Sequence, residues 1–425
     1  MGLNDTAWEK LFDKYHILEE IRRNGQFFIS ASQIKEFREP RLMTKFDHMA
    51  NLPHLFAENS LAILPVSGNN YAISHFKAYH SFEETQAQTA RVSLPAHIQS
   101  FAGNNIASES IALNSAVASG IMEDFLEDEG LVATVSGKMG SGSFDFQIDH
   151  ATDGDPLCCS VSNSRIEIDA AYEGIRYLSL FEAKRDLADD FLVRQLYYPF
   201  RLWREKVTKP VKSIFLIFSN GVFYLYEYRF EDPHNYSSLQ LIKQKNYIIS
   251  TEISRSDIEN LLMTVAQTEE PPISFPQANS MSRIVNLMEL LCENAMTKQD
   301  ITGEYAFDER QTSYYTDAGR YLELIEKLRG ENNSIIFRLS PLGKHIMALD
   351  YRERQLAIAA QILKHRAFSQ TLRLCLQSGQ MPDTKTVVQI MKESGLYQVE
   401  AESTYQRRSS TVTGWINWIL NLIEE

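Results

Sequence analysis

RIEIDAAYEGIRYLSLFEAKRDLADDFLVRQLYYPFRLWREK, residues 165–206, is the stretch whose reading decides the fold, and it reads as two strands followed by a helix. Side chains alternate across a strand. In RIEID the apolar Ile166 and Ile168 therefore share one face, and Glu167 and Asp169 the other. In YLSLFEAKR, Phe181 and Ala183 point into a core while Glu182 and Lys184 sit two apart on the opposite face. A hairpin through AAYEGIR brings the carboxylates of Asp169 and Glu182 together, with the Lys184 ammonium beside them. Two carboxylates that close repel unless a cation lies between them. A hard divalent ion with oxygen ligands, Mg²⁺ above all, suits them.

Asp169, a short hairpin and then Glu182-x-Lys184 resembles the PD-(D/E)XK nuclease superfamily, the metal-dependent phosphodiesterase fold of most type II restriction endonucleases. The resemblance implies an α/β core, a mixed sheet flanked by helices. In that core Asp169 and Glu182 hold Mg²⁺ and Lys184 positions or activates the attacking water. This chain has Ile168-Asp169 where the family has Pro-Asp. Gln195, on the following helix, falls where several of these nucleases place a supporting Gln, with Tyr198 one turn later. Glu109 is a further candidate, because some members add an acidic residue from a helix leading into the sheet. The helix dipole alone also favours an acid in a first turn. The pattern is loose in itself, and context makes it informative: both charged pairs lie in apolar, alternating strands followed by an aromatic-rich helix.

A chain of 425 residues has room for about three domains. Its 44% hydrophobic and 23% charged residues are those of a globular protein with sizeable cores. A formal net charge of −13 argues against indiscriminate coating of nucleic acid. A local basic cleft stays compatible with it, since phosphate contacts depend on where Lys and Arg sit. The four cysteines, Cys158, Cys159, Cys292 and Cys375, form no CxxC pair, which speaks against structural zinc and a disulfide framework. The charged, helical N-terminus has no signal-peptide core, and no stretch approaches the ~20 apolar residues of a membrane span. A reducing cytoplasm and no membrane partner are the expectation.

Residues 1–100 read as an N-terminal α/β elaboration, opened by an amphipathic helix over 6–23. Its stretch Pro40-Arg41-Leu42-Met43-Thr44-Lys45-Phe46-Asp47 resembles one found in restriction-enzyme sequences, and Arg41 and Lys45 are candidate DNA contacts. Solvated charges on an ordinary elaboration are the bland alternative. Residues 101–270 form the expected nuclease domain, with one helix over 108–130 capped by Ser108. GKMGSGS reads as a flexible hairpin, and the Asn220-Gly221 turn as a second hairpin. QTEEPPISFPQANS, whose Pro, Gln and Ser mark a linker, closes the domain.

Residues 281–350 resemble a winged helix-turn-helix, its third helix running through DERQTSYYTDAGRYLELIEKL. That analogy gives Arg310, Gln311, Ser313, Tyr314 and Tyr315 to the major groove, and Arg338 or Lys344 to phosphates. Residues 351–425 read as a second helical, winged-helix-like unit, with Arg407 and Arg408 as DNA candidates near the start of the last helix. The expected whole is thus a PD-(D/E)XK nuclease core with α-rich, winged-helix-like C-terminal domains. Its implied activity is that of a Mg²⁺-dependent type II restriction endonuclease acting on double-stranded DNA at a short specific sequence. A homodimer suits cleavage of both strands, and a methyltransferase of the same specificity is the implied companion. Two alternatives stand beside it: a nuclease recognising DNA structure or modified bases in repair or defence, and a non-catalytic winged-helix regulator.

Overall fold

The computed structural model describes residues 2–423 apart from 84–88, 96, 99, 102–107, 250–252, 305, 306, 308 and 331–333. At its centre is a seven-stranded mixed sheet. In spatial order the strands are Thr89–Val92, Leu239–Ile249, Val222–Phe230, Val211–Ser219, Leu178–Lys184, Arg165–Glu173 and Val132–Gly140. Two neighbouring pairs are parallel, Leu178–Lys184 with Val211–Ser219 and Leu239–Ile249 with Thr89–Val92. The other neighbours are antiparallel.

Both faces of this sheet are covered, which is why its middle strands read as nearly continuous apolar runs. Phe215, Ile217, Tyr226 and Tyr228 pack with Tyr197 and Tyr198 of the helix Arg194–Arg204. Ile214, Leu216, Phe218 and Leu225 pack on the other side with Leu113, Met122 and Phe125. That second layer is two helices, Glu109–Ala118 and Ile121–Leu126, in place of the single helix expected over 108–130. Gly120, at φ +77°, breaks it in a conformation that glycine adopts without steric cost. The Asn220-Gly221 turn joins its two strands through two residues of positive φ, the geometry the sequence suggested.

Before the sheet, helices Leu3–Tyr15 and Ile17–Asn24 part at His16, where one amphipathic helix was expected, and pack with a three-stranded sheet around Trp8 and Phe56. GKMGSGS is not a loose hairpin. The edge strand continues to Gly140, and the turn is Ser141-Gly142, with Ser141 buried.

The linker expected before residue 281 also looks different in three dimensions. Its Pro and Ser exclude regular structure, but Phe275 and Ala278 are buried in the C-terminal core and Tyr321 donates to Glu270. That core is one cluster running from Ile253 to Leu422, so residues 281–350 and 351–425 share it. Within it come, in order, the helix Met281–Glu293, a short strand at Met296–Thr297, the helices Lys298–Glu304 and Glu309–Tyr321, and a hairpin of Ile325–Arg329 with Ile335–Leu339. The third helix stops at Tyr321, short of the expected Leu328. Glu323 turns at φ 62°, and Gly319 sits where any side chain would strike Ile325. The tip of the expected wing, 331–333, lies outside the described residues. Beyond Tyr351 come four helices and no named strand among the described residues, which removes the wing from the expected second unit. None of the described helices is long and apolar enough to cross a membrane.

Candidate active site

The strands Arg165–Glu173 and Leu178–Lys184 pair as the antiparallel hairpin read from the sequence, with a turn shorter than AAYEGIR, at 174–177. Glu182 and Lys184 lie at the carboxyl end of a strand whose other neighbour is parallel, the edge where open α/β sheets gather their ligands. Asp169 sits on an irregularity. Ile168 pairs with Gly137 and Ala171 with Val135, so three steps on one strand match two on the other. Alternation breaks there: Ile166, Ile168 and Ala171 pack toward the helix Arg194–Arg204, while Ala170 and Tyr172 pack toward the opposite layer. From this bulge Asp169 Oδ2 accepts a hydrogen bond from the backbone N of Ala183 at 2.8 Å.

Glu182 is 8% exposed, and its Oε1 accepts from Lys184 Nζ at 2.5 Å and from Gln195 Nε2 at 2.6 Å. Gln195 reaches it from the first turn of the helix Arg194–Arg204. Glu109, half-buried in the first turn of a helix capped by Ser108, lies within the field of Lys184, Asp169, Asp186 and Lys45. All five residues singled out as catalytic candidates therefore converge.

Burial pushes the Glu182 carboxyl up to about 7, with Lys184 working against the shift and Asp169 adding to it. Asp169 and Glu109 are held above the usual carboxylate range, again chiefly by burial. Lys184 is the opposite case. Burial opposes its charge, yet Glu182, Asp169 and Glu109 outweigh burial and keep its ammonium protonated well past its ordinary range. One buried and two half-buried acids against one lysine leave negative charge to be compensated.

Among the described residues no three His, Cys, Asp or Glu side chains stand close enough to form a ready-made cation cage. The donor set nonetheless fits a hard divalent ion. Asp169 Oδ1 and Glu182 Oε2 are carboxylate oxygens with no hydrogen-bond partner among the described residues. Gln195 Oε1 is buried and equally unpartnered there, an acceptor placed for a water molecule.

A second layer of the site was not anticipated. His48 is buried, with Nε2 2.9 Å from Asp186 Oδ2 and Nδ1 2.6 Å from the carbonyl O of Asp190. Burial disfavours its charge, but the bonds to Asp186 and Asp190 prevail and push it up to about 10. Asp47 adds negative charge that both Glu182 and Lys184 feel. In the sequence His48 directly follows the 40–47 stretch that holds Arg41 and Lys45, with nothing local to set it apart from them. The acid-rich Asp186, Asp189 and Asp190 directly after Lys184 were the available signal.

The residues assigned to DNA scatter. Arg310 is exposed and donates to the Tyr314 hydroxyl at 2.6 Å; Gln311, Ser313 and Tyr314 are half-buried on the same helix. Tyr315 is buried and stacked on Phe307, which removes it from any groove-facing set. Arg338 is exposed and paired with Glu326. Arg407 is exposed, but Arg408 is only 7% exposed. It shares the inward stripe of Tyr405, Ser409 and Val412, and a reading by polarity missed that spacing. Arg41 and Lys45 are exposed, and Lys45 lies within reach of Asp47 at 3.7 Å.

Three families match successive parts of the chain, each described as a Domain of unknown function: DUF6996 over residues 5–73, DUF6997 over 74–248 and DUF7226 over 283–424. No curated protein and no solved structure matches the chain.

Proposed function

We propose that this protein is a metal-dependent DNA endonuclease of the PD-(D/E)XK type, in its most specific form a type II restriction endonuclease acting on double-stranded DNA. The observation that carries the reading is the hairpin itself: Asp169, Glu182 and Lys184 meet at the carboxyl edge of a mixed sheet, with Gln195 and Glu109 beside them. Asp169 and Glu182 would hold Mg²⁺. When bound, that ion supplies Lewis-acid stabilisation of the phosphate and a water of lowered pKa. Lys184 is protonated at neutral pH, so its role is that of a charge and donor. Its Nζ orients the water and neutralises negative charge that develops on the phosphate, and it is not a base. Gln195 holds Glu182 through Nε2 and offers Oε1 to a water proton.

The C-terminal unit is, in this reading, a winged helix. Support comes from its element order, three helices with a short strand before the second, then a hairpin, in a sheet ordered with that strand beside Ile335–Leu339. Arg310 and Gln311 on the third helix then face bases, with Arg407 and the Arg41–Lys45 segment as further DNA contacts. A homodimer would deliver two cuts, and a methyltransferase of matching specificity would protect the host.

Incubation of purified protein with unmethylated phage DNA and Mg²⁺, followed by sequencing of the ends, tests this. Discrete fragments with one shared end sequence are expected, and none from Asp169→Ala, which should still bind duplex. Intact DNA under Mg²⁺ and Mn²⁺ would overturn the proposal.

A further inference from the structure

Arg185 to Asp189, directly after Lys184, have no regular structure, yet both flanking units grip the segment they begin. His48 holds Asp186 and the carbonyl of Asp190 from the N-terminal side. From the other side comes one face of the helix Met281–Glu293. Asn286 Oδ1 accepts from Leu187 N at 2.9 Å, and its Nδ2 donates to Arg185 O at 2.5 Å. Arg283 pairs with Asp189, and Glu293 with Arg185. On the same helix Glu289 accepts from Ser219 Oγ at 2.8 Å and Asn220 N at 2.9 Å, at the end of the strand parallel to Leu178–Lys184. Its apolar side, with Ile284, Leu287 and Leu291, belongs to the C-terminal core.

These contacts are not equal. Exposed ion pairs contribute little, and Asp189 is an exposed partner. Asn286 is 2% exposed, and its amide takes both a backbone donor and a backbone acceptor of the segment. A buried amide left unmatched is costly, so its satisfied geometry defines one position of the segment relative to the helix. Arg185 is covalently joined to Lys184. A shift of the helix against the sheet thus moves the lysine backbone.

We propose that Asn286 is a positioning residue through which the C-terminal unit sets the place of Lys184, so that duplex held by that unit tightens the hydrolytic centre. The proposal rests on the endonuclease reading of that centre. Displacement of a reacting group by about 1 Å costs on the order of a hundredfold in rate.

The test uses the full chain, as wild type, Asn286→Ala and Asn286→Asp. The second variant keeps the acceptor for Leu187 N but loses the donors to Arg185 O and Glu289 Oε2 and sets a carboxylate against Glu289, so the first variant serves where the second does not fold. With Ca²⁺ in place of Mg²⁺ and a pool of random-sequence duplexes, amide hydrogen exchange of residues 185–190 is followed with and without DNA. Exchange is expected to slow on DNA addition in the wild type and to stay fast in the variants. With Mg²⁺, cleavage of saturating duplex should fall about ten- to a hundredfold in the variants, while duplex affinity stays within about twofold. Equal losses in rate and affinity, or exchange over 185–190 indifferent to DNA in the wild type, would overturn the coupling. A wild type that cuts no DNA yet shows the exchange response would instead sink the endonuclease reading and leave the coupling standing.

Discussion

Acidification should weaken divalent-cation binding at the proposed centre within a window where ordinary carboxylates do not respond. The Glu182 carboxyl is pushed up to about 7, chiefly by burial. A proton and a cation compete for a carboxylate, so apparent metal affinity follows its ionised fraction. That fraction is about nine-tenths at pH ~8 and about one-tenth at pH ~6, a roughly tenfold weakening. A carboxylate near 4.3 would change by only a few per cent over the same range. Asp169, also raised by burial, can only steepen the dependence. Calorimetric titration of the DNA-free protein with Mg²⁺ or Mn²⁺ measures this, and at pH ~7 about half a proton should leave per ion bound. The metal-free protein should show the complementary behaviour. Because the folded pKa lies above the unfolded one, the native state is favoured while Glu182 is protonated, and that stability is lost as pH rises through about 7. Glu182→Gln should bind metal weakly and with a shallower pH dependence, the remainder coming from Asp169. Affinity that is flat across the window in the wild type, or unimpaired in Glu182→Gln, would refute the reasoning.

Lys184→Ala should lower the cleavage rate steeply, with duplex affinity nearly unchanged in a binding assay under Ca²⁺; a loss confined to affinity would place the lysine outside the chemistry. Arg310→Ala and Gln311→Ala should each narrow the gap between cognate and scrambled duplexes by ~1 to 3 kcal/mol in competition binding at fixed salt. An unchanged ratio in both would leave the C-terminal unit a scaffold or dimerisation role. His48→Gln should be less stable than the wild type at neutral pH by on the order of 3 kcal/mol, and melt at a lower temperature, since it breaks a buried pair. Its folded pKa is raised to about 10, so that stabilisation is complete below the unfolded value of ~6.5 and lost as pH rises through about 10. Melting curves of the two proteins should therefore converge at alkaline pH.

Glu182 and Lys184 were legible because a strand's period is local: two residues apart is one face, whatever else the chain does. Asp169 was found by the same rule although the rule fails at its own position. The bulge there is decided by the pairing with Val132–Gly140, a strand whose register RIEID does not encode. His48 was hidden for a related reason, since its acceptor Asp190 lies 142 residues along the chain. Polarity misled at Arg408, because an arginine on an inward helical stripe reads the same as one on a solvated face until the packing of Tyr405 and Val412 is known. Asn286 is the instructive case. In MSRIVNLMELLCENA it interrupts an apolar run, with Val285 and Leu287 beside it, and a reading by period treats it as a neutral helical polar residue. Its helix is buried on two sides, against its own core and against the segment after Lys184. Polar residues on such a second buried face mark where one unit meets another. In this chain that meeting place adjoins Lys184, so under the endonuclease proposal the step from reading to cutting need cross no more than one residue of backbone.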